Sequence, residues 1–185
     1  LVGLLGFGNF MMQEGLTATE KYSYYEILEQ SGARLIKTVD DIMDIAQLKA
    51  GSINPKPTMV NVALIMSEVK DKLQNACLRK NVLVNLDIPE NYTSLLLHTD
   101  EILFTKILTQ LTGNAEKFTS AGRIALGFEV NGQWVKFFVK DTGKGIVPDK
   151  LEILFEPFMQ EDLRNTRGYE GSGLGLAIAR GMTEL

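Results

Sequence analysis

Three short stretches of this 185-residue chain hold residue types at spacings suited to an anionic ligand. In the run 101–118, Gln110, Asn114 and Lys117 recur at i, i+4 and i+7, beside an apolar stripe of Ile107, Leu111, Ala115 and Phe118. An amide oxygen is a hard ligand that suits Mg²⁺, and a lysine ammonium is a point charge for phosphate. The same stripe also describes the solvated flank of an ordinary helix. Further on, Asp141 has the parity of Val135, Phe137 and Val139, which aims a carboxylate towards the core at a strand end. Asp141-Thr142-Gly143 reads equally well as the start of a turn. Gly143-Lys144-Gly145 lets backbone approach something closely, but no Gly-Lys-Ser/Thr follows as a Walker A loop requires. Finally, Gly171-Ser172-Gly173-Leu174-Gly175 opens the last helix, where backbone N–H groups and the helix dipole favour an anion. It does not follow a strand in a βαβ unit, so a dinucleotide site is a poor fit. The polar stretch before it, with Arg164 and Arg167, reads as a lid offering cations to phosphate or as a plain surface loop.

The elements that must position these residues follow from periodicity. Thr17-Ala18-Thr19-Glu20 is a capping box, and a helical pattern runs from it to Ala50 before Gly51, Pro55 and Pro57 stop it. Leu28, Leu35 and Ile42 recur every seven residues, with Gly32, Val39 and Ala46 between them. Residues 1–51 thus read as a helical hairpin, half of a four-helix bundle completed by a second copy, with 52–57 a linker and 58–185 a second domain. In that domain the pattern predicts a helix over 61–81, a strand over 82–88, a short apolar run over 94–98 and a helix over 101–118 capped by Asp100. Strands over 123–130 and 133–141 meet at Asn131-Gly132, and a helix starts at Leu174. The fold class is α+β, with helices on one face of a mixed sheet.

Four segments in order resemble the N, G1, F and G2 boxes of sensor histidine kinases: Asn114–Thr119, Asp141–Ile146, Leu154–Phe158 and Gly171–Ile178. Ser31-Gly32, Leu35, Asp40-Asp41-Ile42-Met43-Asp44 and Ala50-Gly51 are similar to the second helix of that family's dimerisation domain. The resemblance implies an α/β sandwich of the Bergerat ATP-binding type with ATP and Mg²⁺ as ligands. Asn114 would ligate Mg²⁺, and Lys117 would contact the phosphates. Asp141 would accept from the adenine amino group, with Gly143 and Gly145 shaping the pocket and Ile146 walling it. Gly171, Gly173 and Gly175, with Leu174 among them, would form the hinge and phosphate cradle. Arg167 would reach the phosphates from the lid, whose start Phe155 and Phe158 would anchor.

The resemblance further implies phosphoryl transfer to a histidine and then to an aspartate of a response-regulator receiver, in a cytoplasmic homodimer joined through residues 1–51. Leu1–Phe7 looks like the stretch after the phosphoacceptor motif, so that histidine is expected upstream of Leu1 and no catalytic residue within the chain; the far end is expected to stop before the family's closing strands. Gln110 and Thr112 depart from the family pattern, as does Glu116, which stands where an aliphatic residue is common. They leave room for a non-catalytic dimeric scaffold, and an ATPase of the wider superfamily is a further alternative.

Bulk properties exclude other classes. Nineteen Lys and Arg against 23 Asp and Glu give a net charge of −4, with no general basic excess to attract nucleic acid. One cysteine, Cys77, and one histidine, His98, rule out an internal disulfide or a zinc site built from this chain. Residues 1–12 are apolar but too short to span a bilayer, so membrane attachment is expected only through segments outside the chain.

Overall fold

The computed structural model describes residues 15–159 and 172–185. Two compact units emerge, Leu1–Asp44 and Ile45–Leu185, with residues 45–51 falling in the second. The reason is hydrophobic: Ile45 and Leu48 pack on Leu174, Ile178 and Met182 of the second unit.

Helix α1 (Ala18–Lys49) begins at the expected capping box. Thr17 N–H donates to Glu20 Oε2 at 2.9 Å, and Glu20 N–H returns a bond to Thr17 Oγ1 at 3.3 Å. It ends in a Schellman turn: Gly51 takes φ +59°, its N–H donates to the Leu48 carbonyl, and Ser52 N–H donates to that of Gln47. The heptad side chains on α1 stay open to solvent, with Leu35, Val39 and Ile42 exposed by 41%, 49% and 48%. The first arm of the expected hairpin lies outside the described residues.

The second unit is an α/β sandwich. β1 (Thr58–Asn61) pairs antiparallel with β3 (Leu96–Thr99). β2 (Asn81–Asp87) runs parallel to β4 (Ala121–Asn131), and β4 pairs antiparallel with β5 (Trp134–Asp141), giving the order β2-β4-β5. Helices α2 (Val62–Ala76) and α3 (Glu101–Phe118) cover this sheet, and α4 (Gly175–Thr183) packs on α3.

The expected helix over 61–81 is shorter at both ends. Asn61 is its cap, accepting from Leu64 N–H at 3.2 Å, and the chain turns at Cys77–Lys80 so that Asn81 can open β2 beside Ala121. The four-residue β1 has no periodic signal of its own and was not expected. The β4–β5 turn is also shifted by one residue. Asn131 pairs with Trp134, leaving Gly132 and Gln133 as the loop, with Gly132 at φ +62° in the first central position as a II′ pattern requires.

Two clusters fill the interior between sheet and helices. Val62, Met66 and Val69 of α2 meet Leu108 of α3 and Leu126 and Phe128 of β4. Phe137 closes this cluster, edge-on to Phe104 at 4.9 Å and tilted against Phe128 at 5.6 Å. Leu73, Cys77, Ala115 and Ile124 form the second cluster. On the other side of the sheet, Phe138 lies over Gly127, where an added Cβ would meet the Asp87 carbonyl at 2.5 Å.

The cap of α3 does double service. Asp100 accepts from Ile102 N–H at 2.9 Å, from Leu103 N–H at 3.0 Å, and from Lys56 N–H of the preceding linker at 2.7 Å. The Lys56 bond, chiefly, holds its carboxyl below the usual range.

Two measurements check this packing. Gly127→Ala should lower the unfolding free energy by ~1–3 kcal/mol in a urea titration, because the backbone of β2 must move to admit the methyl. Asp100→Ala should cost ~1–2 kcal/mol at pH 7. A carboxyl with a depressed folded pKa contributes in full above its unfolded value, about 3.9, and loses that contribution as pH falls through the folded one. The gap between wild type and Asp100→Ala should therefore close on acidification below about pH 4.

Candidate functional site

Helix α3 sets the site because two of its faces are occupied. Leu108 and Ala115 enter the sheet-facing clusters, while Leu103 and Ile107 meet Leu174, Ile178 and Met182 around α4. The polar stripe Gln110, Asn114 and Lys117 lies beside these faces. Gln110 is buried, and Asn114 and Lys117 are half-buried.

The glycine opening α4 meets this stripe directly. A Cβ on Gly175 would stand 2.9 Å from Gln110 Oε1 and 3.9 Å from Asn114 Nδ2. A side chain at Gly175 would make the Gln110 amide shift away from the first turn of α4. Leu174, at the cap position, offers that turn no side-chain acceptor, so its N–H groups are in the arrangement that receives anions. The Leu174 side chain itself is fully buried and belongs to the α4 core. Its backbone N–H donates to Ser172 Oγ at 3.3 Å.

Gly173 ties the glycine stretch to the F-box segment. Phe158 N–H donates to the Gly173 carbonyl at 3.0 Å, and Gly173 sits at φ +70° with Met159 O 2.9 Å from where a Cβ would be. Phe158 is held at φ 67°, a left-handed conformation that disfavours a side chain, and is largely exposed. Phe155 is also exposed, and its turn ends where Glu156 N–H donates to the Ile153 carbonyl at 3.1 Å. Arg167 and Gly171 lie outside the described residues.

The loop after β5 folds onto the C-terminal end of α3. A Cβ on Gly143 would fall 2.5 Å from the Phe118 carbonyl, so glycine is required by contact there. Asp141 is exposed and accepts from Gly143 N–H at 2.8 Å. The turn reading of this aspartate is therefore the one observed, and its carboxylate lies at the rim. Gly145 takes φ +70°, and Ile146 beyond it is exposed. Lys144, between the two glycines, brings its Nζ to 5.2 Å from the Phe118 ring centroid; Lys117 Nζ stands 4.7 Å from the same centroid. Burial holds the Lys117 ammonium below the ordinary lysine range, and the neighbouring Lys144 charge lowers it further.

Departures from the family pattern have physical explanations. Thr112 is buried but satisfies its hydroxyl on the Leu108 carbonyl at 2.8 Å. Glu116 receives Lys80 Nζ at 2.5 Å on its carboxylate, and its own carbonyl receives the same ammonium at 2.6 Å. Lys80 thereby caps the end of α3 from the α2–β2 turn, a partnership sequence spacing gives no hint of. Burial and then the Glu116 charge push the adjacent Cys77 thiol up, partly offset by Lys80. His98, exposed on β3 opposite Met59, faces none of these residues in register.

A long helix precedes an α/β sandwich in which the glycine opening one helix meets the amide-bearing stripe of another. Residues 99–185 match the family described as histidine kinase-, DNA gyrase B-, and HSP90-like ATPase. Across its whole length the chain is 33% identical to the autoinducer 2 sensor kinase/phosphatase LuxQ of Vibrio vulnificus (strain YJ016), and 27% identical to the peroxide stress-activated histidine kinase mak1 of Schizosaccharomyces pombe. It spans 22% and 12% of those proteins. A crystal structure of full-length ShkA in complex with AMPPNP aligns over 98% of this chain and 37% of that one, with a TM-score of 0.75 and 30% identity. The chain carries an ATP-binding domain of the sensor histidine kinase type. No helix among the described residues is long and apolar enough to cross a membrane.

The Lys80–Glu116 clasp is directly testable. Lys80→Met should lose ~1–2 kcal/mol of unfolding free energy, since it strands a half-buried carboxylate and a helix-end carbonyl. Lys80→Arg should recover much of that loss in the same urea titration.

Proposed function

We propose that this chain binds ATP with Mg²⁺ as the kinase core of a protein-histidine phosphotransferase. Its γ-phosphate would go to a histidine upstream of Leu1, and then to an aspartate on a response-regulator receiver. The observation that carries this reading is the meeting of Gly175 with Gln110 and Asn114. It sets an amide ligand beside an uncapped helix N-terminus, the pairing a metal-bound polyphosphate needs.

In this reading Asn114 ligates Mg²⁺ and Lys117 meets the phosphates. The metal ion would neutralise charge on the phosphate oxygens. Gly171, Gly173 and Gly175 offer backbone N–H groups, with the Leu174 N–H donated to Ser172 Oγ at 3.3 Å within the same cradle, and Arg167 adds a guanidinium. At the other end, one Asp141 oxygen is taken by Gly143 N–H, and the second accepts from the adenine amino group. Ile146 lines that side. The protein's work is positioning and charge stabilisation, as phosphoryl transfer chiefly requires. Homodimerisation through residues 1–51 is supported by the open face of α1, where Leu35, Val39 and Ile42 meet solvent in the single chain. The protein works in the cytoplasm.

Calorimetric titration of ATP and Mg²⁺ tests the pocket. Wild type should bind, while Asn114→Ala and Asp141→Asn should each weaken binding by about tenfold or more, a loss of ~1.4 kcal/mol or above. A wild type with native circular dichroism and no ATP binding would sink the proposal in favour of a dimeric scaffold.

A further inference from the structure

Two buried threonines, one inside α3 and one at its C-cap, end up in different states. Thr112 lies within the helix and donates its hydroxyl to the Leu108 carbonyl at 2.8 Å. Thr119 is fully buried, yet among the described residues its Oγ1 is the one buried side-chain oxygen or nitrogen without a hydrogen-bond partner. Its backbone has already turned extended, at φ −107° and ψ 109°, which removes the helical geometry that Thr112 uses. A buried hydroxyl left this way destabilises the fold, and a valine would fill nearly the same space without that penalty.

The surroundings of Thr119 say what the hydroxyl is for. The peptide joining it to Phe118 is the one on which the loop after β5 rests, since a Cβ on Gly143 would meet Phe118 O at 2.5 Å and Phe118 C at 3.0 Å. The same point is 2.8 Å from Asp141 Oδ1. Asp141 is in register with Ile124 of β4, whose side chain is buried with Ala115 of α3. Strand pairing therefore sets Asp141 on the side of the sheet that α3 covers. An unsatisfied donor and an accepting carboxylate thus flank one peptide, at the end of the pocket assigned above to the base.

We propose that Thr119 is a positioning residue for the nucleotide's base: in the complex its hydroxyl donates, through one ordered water, to the Asp141 carboxylate that receives the adenine amino group. The proposal rests on the ATP reading above and adds to it a residue that acts through Asp141. A donor shared with the carboxylate fixes its orientation, and a bridging water does this nearly as well as a direct bond. The hydroxyl is unsatisfied in the free protein and satisfied in the complex. Folding and binding therefore pull this position in opposite directions.

The experiment is thermal unfolding of the ligand-free protein, together with calorimetric titration of ATP with Mg²⁺ and of adenosine, on wild type, Thr119→Val and Thr119→Ser. Thr119→Val should melt at or above the wild-type temperature, yet bind ATP and adenosine each about fivefold more weakly. Thr119→Ser keeps the hydroxyl and leaves a methyl-sized space, so it should melt lower while binding ATP within about twofold of wild type. A purely structural threonine would lose stability and affinity together. A Thr119→Val protein that melts below wild type overturns the proposal, because the hydroxyl would then already be satisfied in the free fold. A loss for ATP clearly larger than that for adenosine also overturns it, since the contact would not be at the base. Wild-type adenosine affinity in Thr119→Val discards the role of Thr119 alone, whereas a wild type that binds neither ligand discards the nucleotide reading and this assignment with it.

Discussion

Helix α3 has to bury two faces at once, and the rest of the second unit is arranged around that requirement. One face needs a sheet, supplied by β2, β4 and β5; the other needs α4. Two apolar faces on one helix leave a narrow polar edge between them. Gln110, Asn114 and Lys117 occupy it, held in place by burial on either side. Such side chains give up rotamer freedom during folding, so a ligand arriving later does not have to order them. Three devices secure the ends of the helix: Asp100 at the start, Lys80 at the finish, and the Gly143 contact on the Phe118 carbonyl.

Glycine is used here chiefly for closeness. At Gly143 the neighbour is a backbone carbonyl that a methyl would push away, and at Gly175 it is the Gln110 amide, which would have to shift. At Gly173 closeness and a left-handed φ are needed together, which is the strictest requirement of the three. Phe158 pays a similar conformational penalty without being glycine, and its N–H bond to the Gly173 carbonyl is the visible compensation.

Much of this was legible because it is local. The capping box at Thr17 and Glu20, the Gly51 stop and the Asp100 cap are all written within a few residues of each other, and they hold as read. The α3 stripe was legible through its spacing. What escaped depends on partners far along the chain or on a balance between equals. Lys80 and Glu116 lie 36 residues apart. β1 is a strand only because β3 is beside it. Asp141 had two readings of similar merit, and the close approach of Gly143 to α3 selected the turn. At the β4–β5 turn, Asn131 pairs with Trp134 and Gly132 takes the positive φ at the first loop position, a choice between adjacent residues that the Asn-Gly pair alone leaves open.

The bond between Phe158 and Gly173 has a consequence for how this protein can vary. It fastens the residues on either side of 159–172 to each other. Once the ends of a chain segment are pinned, doubling its length costs only about 0.6 kcal/mol in closure entropy. In closure entropy, then, a change of length there is inexpensive. The clasp thus makes a change of length between its two ends a small cost to the fold on either side.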